Sequence, residues 1–381
     1  MIIFLKENVE KGSQELERLY DFISNFPKVE TRLLELQGET RTVRELHLIG
    51  NTHHIPEEVI RGMRGVEKVV RVSTKYRQIG RHDVNFVPPG FTYNGITFDQ
   101  ESLHIFAGPC AVDTPEYIEE TFKGLKSLGI ETARMGAYKP RTSPYDFQGH
   151  GARCLPWVFD LAGKYGIKVI AMEVLKESHI QEIIDALETA GHPTGVMLQI
   201  GTRNAQNFEL LKAVGSQTEL PVLYKRGMGL TIEESLNACE YIASEGNRNI
   251  VFCLRGIKTQ MSLPHRNLAD FIHIPVIHRK TRLPVCIDPS HPIGSKDHAP
   301  NGLLDIFNAA AQGVIAGANM ILVETHPEPE AALCDGQQSL TLPELEKFVE
   351  DVAICREAFE KRVNNYSQGM LKEMSSKAAQ G

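Results

Sequence analysis

The chain has 381 residues, 42% hydrophobic and 23% charged, the make-up of a globular protein long enough for about two domains, or one barrel of roughly 250 residues plus a smaller unit. Its formal net charge of −7 argues against nonspecific binding to nucleic acid or an anionic membrane, and no apolar run approaches the roughly 20 residues that span a bilayer. Seven scattered cysteines without CxxC pairs argue against a disulfide framework or zinc knuckle, and the N-terminus (MIIFLKENVEKG) turns polar too early for a signal peptide, so a reducing cytoplasm is expected.

Residues 1–82 read as a small α/β unit. MIIFL is strand-like, a helical pattern follows at Leu16, Leu19, Ile23 and Phe26, VETRLLEL and RTVRELHLIG alternate as strands, IPEEVIRGM is a short helix and VEKVVRVST closes as a strand. The order β-α-β-β-α-β predicts a ferredoxin-like fold. It carries no catalytic cluster, and its residues do not separate a regulatory, inhibitor-binding domain from a packing or oligomerisation module. Residues 83–101 form a linker with Pro88, Pro89 and Gly90, followed by FTYNGITF. The Asn94-Gly95 pair between alternating residues predicts a hairpin that caps the bottom of the next unit.

From residue 102 to 363 the pattern becomes a regular alternation of apolar strands and helices. SLHIFAGPC, IETARMGAY, KVIAMEV, GVMLQIG, PVLYKRG, NIVFCLRG, LPVCIDPSH and NMILVETHP are eight near-continuous apolar runs, as parallel strands buried on both faces require. The intervening helices, TPEYIEETFKGLKSLG and TIEESLNACEYIASEG among them, open on threonines suited to N-capping. Eight βα units predict a TIM barrel, and active sites of such barrels lie at the C-terminal ends of the strands. The ends are chemically rich: Cys110 on the first, Arg134 to Lys139 on the second, then Glu173, Arg203, Lys225 with Arg226, Arg255, Asp288 with His291, and Glu324 with His326. That alignment predicts one shared site. TLPELEKFVEDVAICREAFEKRV is the last helix, and 364–381 is a polar, frayed tail.

Two groups sort out among the strand ends. The cationic one comprises Arg134, Lys139, Arg141, Arg203, Lys225 and Arg255. In KPRTSP, Lys139 precedes Pro140, and Arg141, Thr142 and Ser143 lie between Pro140 and Pro144; the prolines stiffen the loop into a phosphate receptacle. Six fixed charges at one cavity point to a substrate with two anionic groups or to two phosphorylated substrates. The second group is Cys110, His291, Glu324 and Asp335. Each alone reads as a core thiol, loop histidine, capping carboxylate or turn aspartate. Together they are a mixed soft and hard donor set suited to a borderline divalent ion, and the residues alone leave these alternatives open.

AGPC, KPRTSPYDFQG, QIGTRNAQNF, LYKRG, LRG, DPSH, ETHPEP and the DGQQS after Cys334 carry a resemblance. In family order, over essentially the whole chain, they are similar to 3-deoxy-D-arabino-heptulosonate 7-phosphate (DAHP) synthase, type I beta subgroup. The resemblance implies condensation of phosphoenolpyruvate with D-erythrose 4-phosphate and water, releasing phosphate, at the entry to aromatic amino-acid biosynthesis. It implies Arg134, Lys139, Arg203, Lys225 and Arg255 for phosphoenolpyruvate, and Pro140, Arg141, Thr142 and Ser143 for erythrose 4-phosphate. Cys110, His291, Glu324 and Asp335 become ligands of one divalent ion (Mn²⁺, Fe²⁺, Co²⁺ or Zn²⁺). Lys139, with Cys110 and His291, forms the catalytic group; Lys139 acts as general acid with a pKa lowered among neighbouring cations. The resemblance further implies a homotetramer or homodimer and inhibition by tyrosine or phenylalanine. Leu254, Met135 and Asp146 depart from the family's pattern and are expected to touch no ligand-binding residue. The rivals are the same chemistry on a longer aldose, as in 3-deoxy-D-manno-octulosonate 8-phosphate synthases, and a catalytically idle amino-acid sensor.

Overall fold

In a computed structural model, residues 1–37, 42–71, 76–82 and 88–378 are described, the last of these as backbone alone from 367 onward. Arg41, the end of the fourth N-terminal strand at 72–74, the linker residues 83–87 and residues 379–381 of the expected tail lie outside the described residues.

The N-terminal unit runs β1 (Ile2–Leu5), α1 (Gln14–Ser24), β2 (Val29–Gln37), β3 (Thr42–Gly50), α2 (Glu57–Arg61) and β4 (Val66–Val70). Its sheet has the order β2-β3-β1-β4 with antiparallel neighbours, the ferredoxin-like arrangement expected. Period-2 alternation gives the sheet two buried faces. Ile3, Leu5, Leu46, Leu48 and Val69 pack with Leu16, Leu19, Ile23 and Ile60 of the helices. The opposite face carries Leu34 and Leu36 of β2 and Glu45 and His47 of β3, all buried. Glu45 meets Arg282 of the following barrel at 3.3 Å and His47 at 2.8 Å. Burial alone would raise Glu45, but the Arg282 charge and the His47 hydrogen bond outweigh it and hold the carboxyl down to about 2. A second tie is Glu240, whose carboxylate accepts from the backbone amides of Arg77, Gln78 and Ile79.

The hairpin is β5 (Phe91–Tyr93) and β6 (Ile96–Phe98). Asn94 and Gly95 both have positive φ, +46° and +77°, as the type I′ turn demands. Phe91, Ile96 and Phe98 pack onto Phe106, Met197, Leu223 and Val251 inside the barrel, so the hairpin plugs its bottom.

The barrel alternates β7 (His104–Gly108), α3 (Pro115–Ser127), β8 (Thr132–Arg134), α4 (Leu155–Tyr165), β9 (Val169–Val174), α5 (Ser178–Glu188), β10 (Val196–Ile200), α6 (Phe208–Ser216), β11 (Val222–Lys225), α7 (Ile232–Glu245), β12 (Ile250–Leu254), α8 (Ile274–Lys280), β13 (Val285–Ile287), α9 (Ser290–Ile293), α10 (Asp305–Ile315), β14 (Met320–Glu324) and α11 (Leu342–Ala378). All eight strands are parallel to their neighbours, and β14 pairs with β7 to close the barrel. Thr114 and Thr231 cap α3 and α7 as expected, the latter in a reciprocal capping box with Glu234. One expectation changes: the final helix does not stop near 363 but continues to Ala378, because LKEMSSKA supplies mostly good helix formers.

The buried pair Glu45–Arg282 makes a pH prediction. A carboxyl depressed in the folded state stabilises fully above its unfolded value near 4.5, and that contribution is lost as the pH falls toward 2. Its size is on the order of 3 kcal/mol. Glu45→Gln strands a buried guanidinium and should be less stable than the parent at pH 7 by several kcal/mol, roughly 3–5. Urea unfolding should show the gap narrowing below pH 4.5; a constant offset would contradict this account.

Candidate active site

The inward-facing residues of the barrel explain why its C-terminal end is polar. Val169 and Ala171, Met197, Leu223, Val251 and Cys253, Cys286, and Met320 and Leu322 fill the lower interior. The next residue in the same period-2 series is polar on seven strands: Arg134, Glu173, Gln199, Lys225, Arg255, Asp288 and Glu324, each at most 8% exposed. An apolar plug thus supports a charged layer that opens into a cavity of about 150 Å³.

Arg134, Lys139, Arg141, Arg203, Lys225 and Arg255 all line this cavity, joined by Pro140, Thr142, Cys110, His291 and Asp335. Gly201, from QIGTRNAQNF, leaves room for Glu173: a Cβ there would lie 1.7 Å from the Glu173 carboxylate. Ser143 falls off the lining; its hydroxyl accepts from the Tyr145 amide at 3.2 Å, forming a local turn. Glu324 lies just beneath the lining, 2.8 Å from Arg134 Nη1. Two of the strand-end residues lie outside the shared site. Arg226 follows inward-facing Lys225 and so points outward, bonding Asp270 at 2.6 Å. His326 is buried beside Asp113, at 3.3 Å, and Tyr117.

The cations are unevenly matched. Arg134 has Glu324, Lys225 bonds Asp288, and Arg141 lies 3.6 Å from Asp146. Among the described residues, Lys139, Arg203 and Arg255 have no carboxylate at ion-pair distance: Arg203 reaches the Thr142 hydroxyl at 3.4 Å, and Arg255 a backbone carbonyl at 3.5 Å. Buried Arg134 Nε and Arg255 Nε lack hydrogen-bond partners there as well. The donors of Lys139, Arg203 and Arg255 left without a carboxylate are ones an anionic guest in the cavity would take up. Asp146 is a correction, because this departure from the family's pattern does touch a cation assigned to substrate. Leu254 and Met135 point instead into the layer between barrel and helices.

Cys110, His291, Glu324 and Asp335 each offer one donor atom, and these atoms lie within 4.8 Å of one another. Cys110 Sγ is 3.0 Å from Asp335 Oδ2, and His291 Nε2 is 3.6 Å from Glu324 Oε1. Asp335 sits in the left-handed region, φ +53°, which turns its carboxylate back toward Cys110. Asp288 lies 2.7 Å from His291 Nδ1 and leaves Nε2 to the cluster, and Gln338 donates to Glu324 at 2.6 Å. Burial, then the neighbouring Cys110 charge, raises the Glu324 carboxyl to about 7. A thiol and two carboxylates crowded this closely are what a bound cation would relieve. With a soft sulfur, an imidazole and hard oxygens, the donor set fits a borderline divalent ion.

Lys139 is buried and donates to Cys110 O at 3.0 Å and Cys110 Sγ at 3.1 Å. Burial disfavours its charge, but Cys110 and Glu173 outweigh that and hold the ammonium above its ordinary value. The expected lowering among neighbouring cations is therefore reversed, since the nearest groups are a sulfur and a carboxylate. Asp288, Glu173, Gln199 and Arg266 were absent from the sequence-derived ligand sets. Arg266 lines the cavity 3.8 Å from Asp335. Asp288 and Glu173 had a signal, their place at strand ends.

Residues 89–360 match the model of the DAHP synthetase I family. The phospho-2-dehydro-3-deoxyheptonate aldolase of Thermotoga maritima is 38% identical over 330 residues, covering 86% of this chain and 91% of that protein. A crystal structure of the Thermotoga maritima enzyme superposes with a TM-score of 0.66 at 34% identity, covering 94% and 97% of the two chains. A 2-dehydro-3-deoxyphosphooctonate aldolase of Methylococcus capsulatus is more distant, at 26% identity over 66% of this chain and 88% of its own. The fold, the charged layer and these similarities agree, and the chain belongs to the DAHP synthetase I family.

Proposed function

We propose that this cavity condenses phosphoenolpyruvate with D-erythrose 4-phosphate and water to give 3-deoxy-D-arabino-heptulosonate 7-phosphate and inorganic phosphate, the reaction of its family. The observation that carries the reading is the convergence of six cations and a four-donor cluster on one cavity at the C-terminal end of the barrel. Arg134, Lys139, Arg203, Lys225 and Arg255 hold the carboxylate and phosphate of phosphoenolpyruvate by charge-assisted hydrogen bonds. Pro140, Arg141, Thr142 and Ser143 receive the aldose phosphate, Ser143 after its loop adjusts around the anion.

Cys110, His291, Glu324 and Asp335 would hold the divalent ion, which when bound supplies Lewis acidity toward an aldehyde oxygen. The enol carbon of phosphoenolpyruvate attacks the aldehyde carbon while water adds at the adjacent carbon. Lys139, charged at the outset, passes a proton to the aldehyde oxygen as the carbon–carbon bond forms, and the proton released by the adding water restores the ammonium. The arginines stabilise the phosphate as it leaves with its bridging oxygen.

The N-terminal unit at 1–82 is proposed as a regulatory module for tyrosine or phenylalanine on a homotetramer or homodimer working in the cytoplasm. No described helix is long and apolar enough to cross a membrane. The test is a substrate comparison: phosphoenolpyruvate consumption with erythrose 4-phosphate should exceed that with arabinose 5-phosphate by about two orders of magnitude. Preference for the pentose would move the chain to the octulosonate chemistry named for the more distant relatives.

A further inference from the structure

Arg141 lines the cavity, and two groups of this chain hold its guanidinium there. The Cys334 sulfur accepts from Nη1, and the Asp146 carboxylate, itself on the lining, lies 3.6 Å from Nε. A guanidinium offers a bidentate anion two edges, Nη1 with Nη2 and Nε with Nη2. Sulfur engages the first, and Asp146 lies on the second. A local turn carries Asp146 there: its amide donates to Ser143 O at 3.3 Å, and Gln148 Nε2 donates to Asp146 O at 2.8 Å and to Ser143 O at 3.3 Å. This pair differs from the two others in the cavity. Arg134–Glu324 and Lys225–Asp288 are closer, with side chains at most 5% exposed, whereas the Asp146 side chain is 45% exposed. A wide, solvent-facing pair is held weakly and is one that a guest can part.

We propose that Asp146 sets the affinity of this site for the aldose phosphate, its carboxylate competing with the phosphate for Arg141. The inference rests on the function proposed above. A phosphate seated on Nε and Nη2 must turn the Asp146 carboxylate aside and then lies beside it on the same wall. Arg141 exchanges one anionic partner for another, and the displaced charge repels the dianion, so the net gain is smaller than at an arginine with no carboxylate neighbour. The penalty is local. Among the described residues, Asp146 comes within ion-pair distance of Arg141 and of none of the cations assigned to phosphoenolpyruvate. It also acts on the end of the aldose remote from the reacting aldehyde carbon. Ground state and transition state therefore feel it alike, and it belongs in KM rather than kcat.

The test is steady-state kinetics of the full chain with Mn²⁺, phosphoenolpyruvate and erythrose 4-phosphate, comparing the parent with Asp146→Asn, Asp146→Ser and Asp146→Glu. Asparagine keeps the shape and removes the charge. The KM for erythrose 4-phosphate should fall roughly three- to tenfold, while kcat and the KM for phosphoenolpyruvate stay within about twofold of the parent. Asp146→Ser should behave as Asp146→Asn does. Glutamate restores the charge, and its KM for the aldose should return to within about twofold of the parent. In a working parent, an aldose KM unmoved or raised in both neutral variants, an equal fall in the phosphoenolpyruvate KM, or the same fall in Asp146→Glu would overturn the inference and leave the function standing. A parent that releases no phosphate with erythrose 4-phosphate would overturn the function and the inference together.

Discussion

Replacing Lys139 by methionine leaves the barrel folded and lowers turnover by about 10²–10⁴-fold, the range of a positioned proton donor. The ammonium is buried, contacts the backbone oxygen and sulfur of Cys110, and shares the cavity with Arg134 and Glu173. Methionine keeps the length and apolar stem of lysine, so packing around Gly136, whose missing Cβ makes room for the Lys139 stem, is retained. Loss of a cation also weakens phosphoenolpyruvate binding, so the reading requires kcat at saturation as well as KM. An unfolding midpoint near that of the parent with kcat collapsed supports the assignment. Turnover within a few-fold of the parent removes Lys139 from the chemistry.

Cys110→Ala should abolish tight metal binding, with affinity down by at least about 100-fold, since loss of an outer partner alone often costs 10–100-fold. Cys110 would supply the soft donor, and its sulfur lies within 4.8 Å of the donor atoms of His291, Glu324 and Asp335. The measurement is metal content after dialysis, with Co²⁺ as a second probe: a thiolate charge-transfer band in the parent should be missing in the variant. Unaltered metal content and an unaltered Co²⁺ spectrum would contradict the ligand set. The pH dependence has a definite sign. Glu324 is raised to about 7 and the Cys110 thiol, through its hydrogen bond with Cys334 and burial, well above its ordinary value. The metal-free cluster therefore binds more protons, and affinity should fall as the pH drops through 7.

The eight barrel strands, the ferredoxin-like order and the hairpin were legible because each rests on local periodicity or a turn dipeptide. The charged layer was legible for a related reason: a parallel strand buried on both faces has few grounds for ending in a cation, and these do so repeatedly. What sequence could not supply was side. Lys225 and Arg226 are adjacent, yet only the first faces the cavity, because the barrel's register assigns alternate residues inward. Asp288 was visible at a strand end, but its service to both Lys225 and His291 depends on three-dimensional placement. The direction of the Lys139 shift also turned on neighbours distant in sequence, Cys110 and Glu173. The second buried face of the N-terminal sheet was hidden for the same reason, since Glu45 finds Arg282 across 237 positions.

The most direct test of the whole account is phosphate release from phosphoenolpyruvate by the purified chain, with and without erythrose 4-phosphate, before chelation, after it, and after adding Mn²⁺ back. The account predicts release that requires the aldose, stops on chelation and returns with the ion. Release that persists undiminished without metal, or that ignores erythrose 4-phosphate, would contradict it.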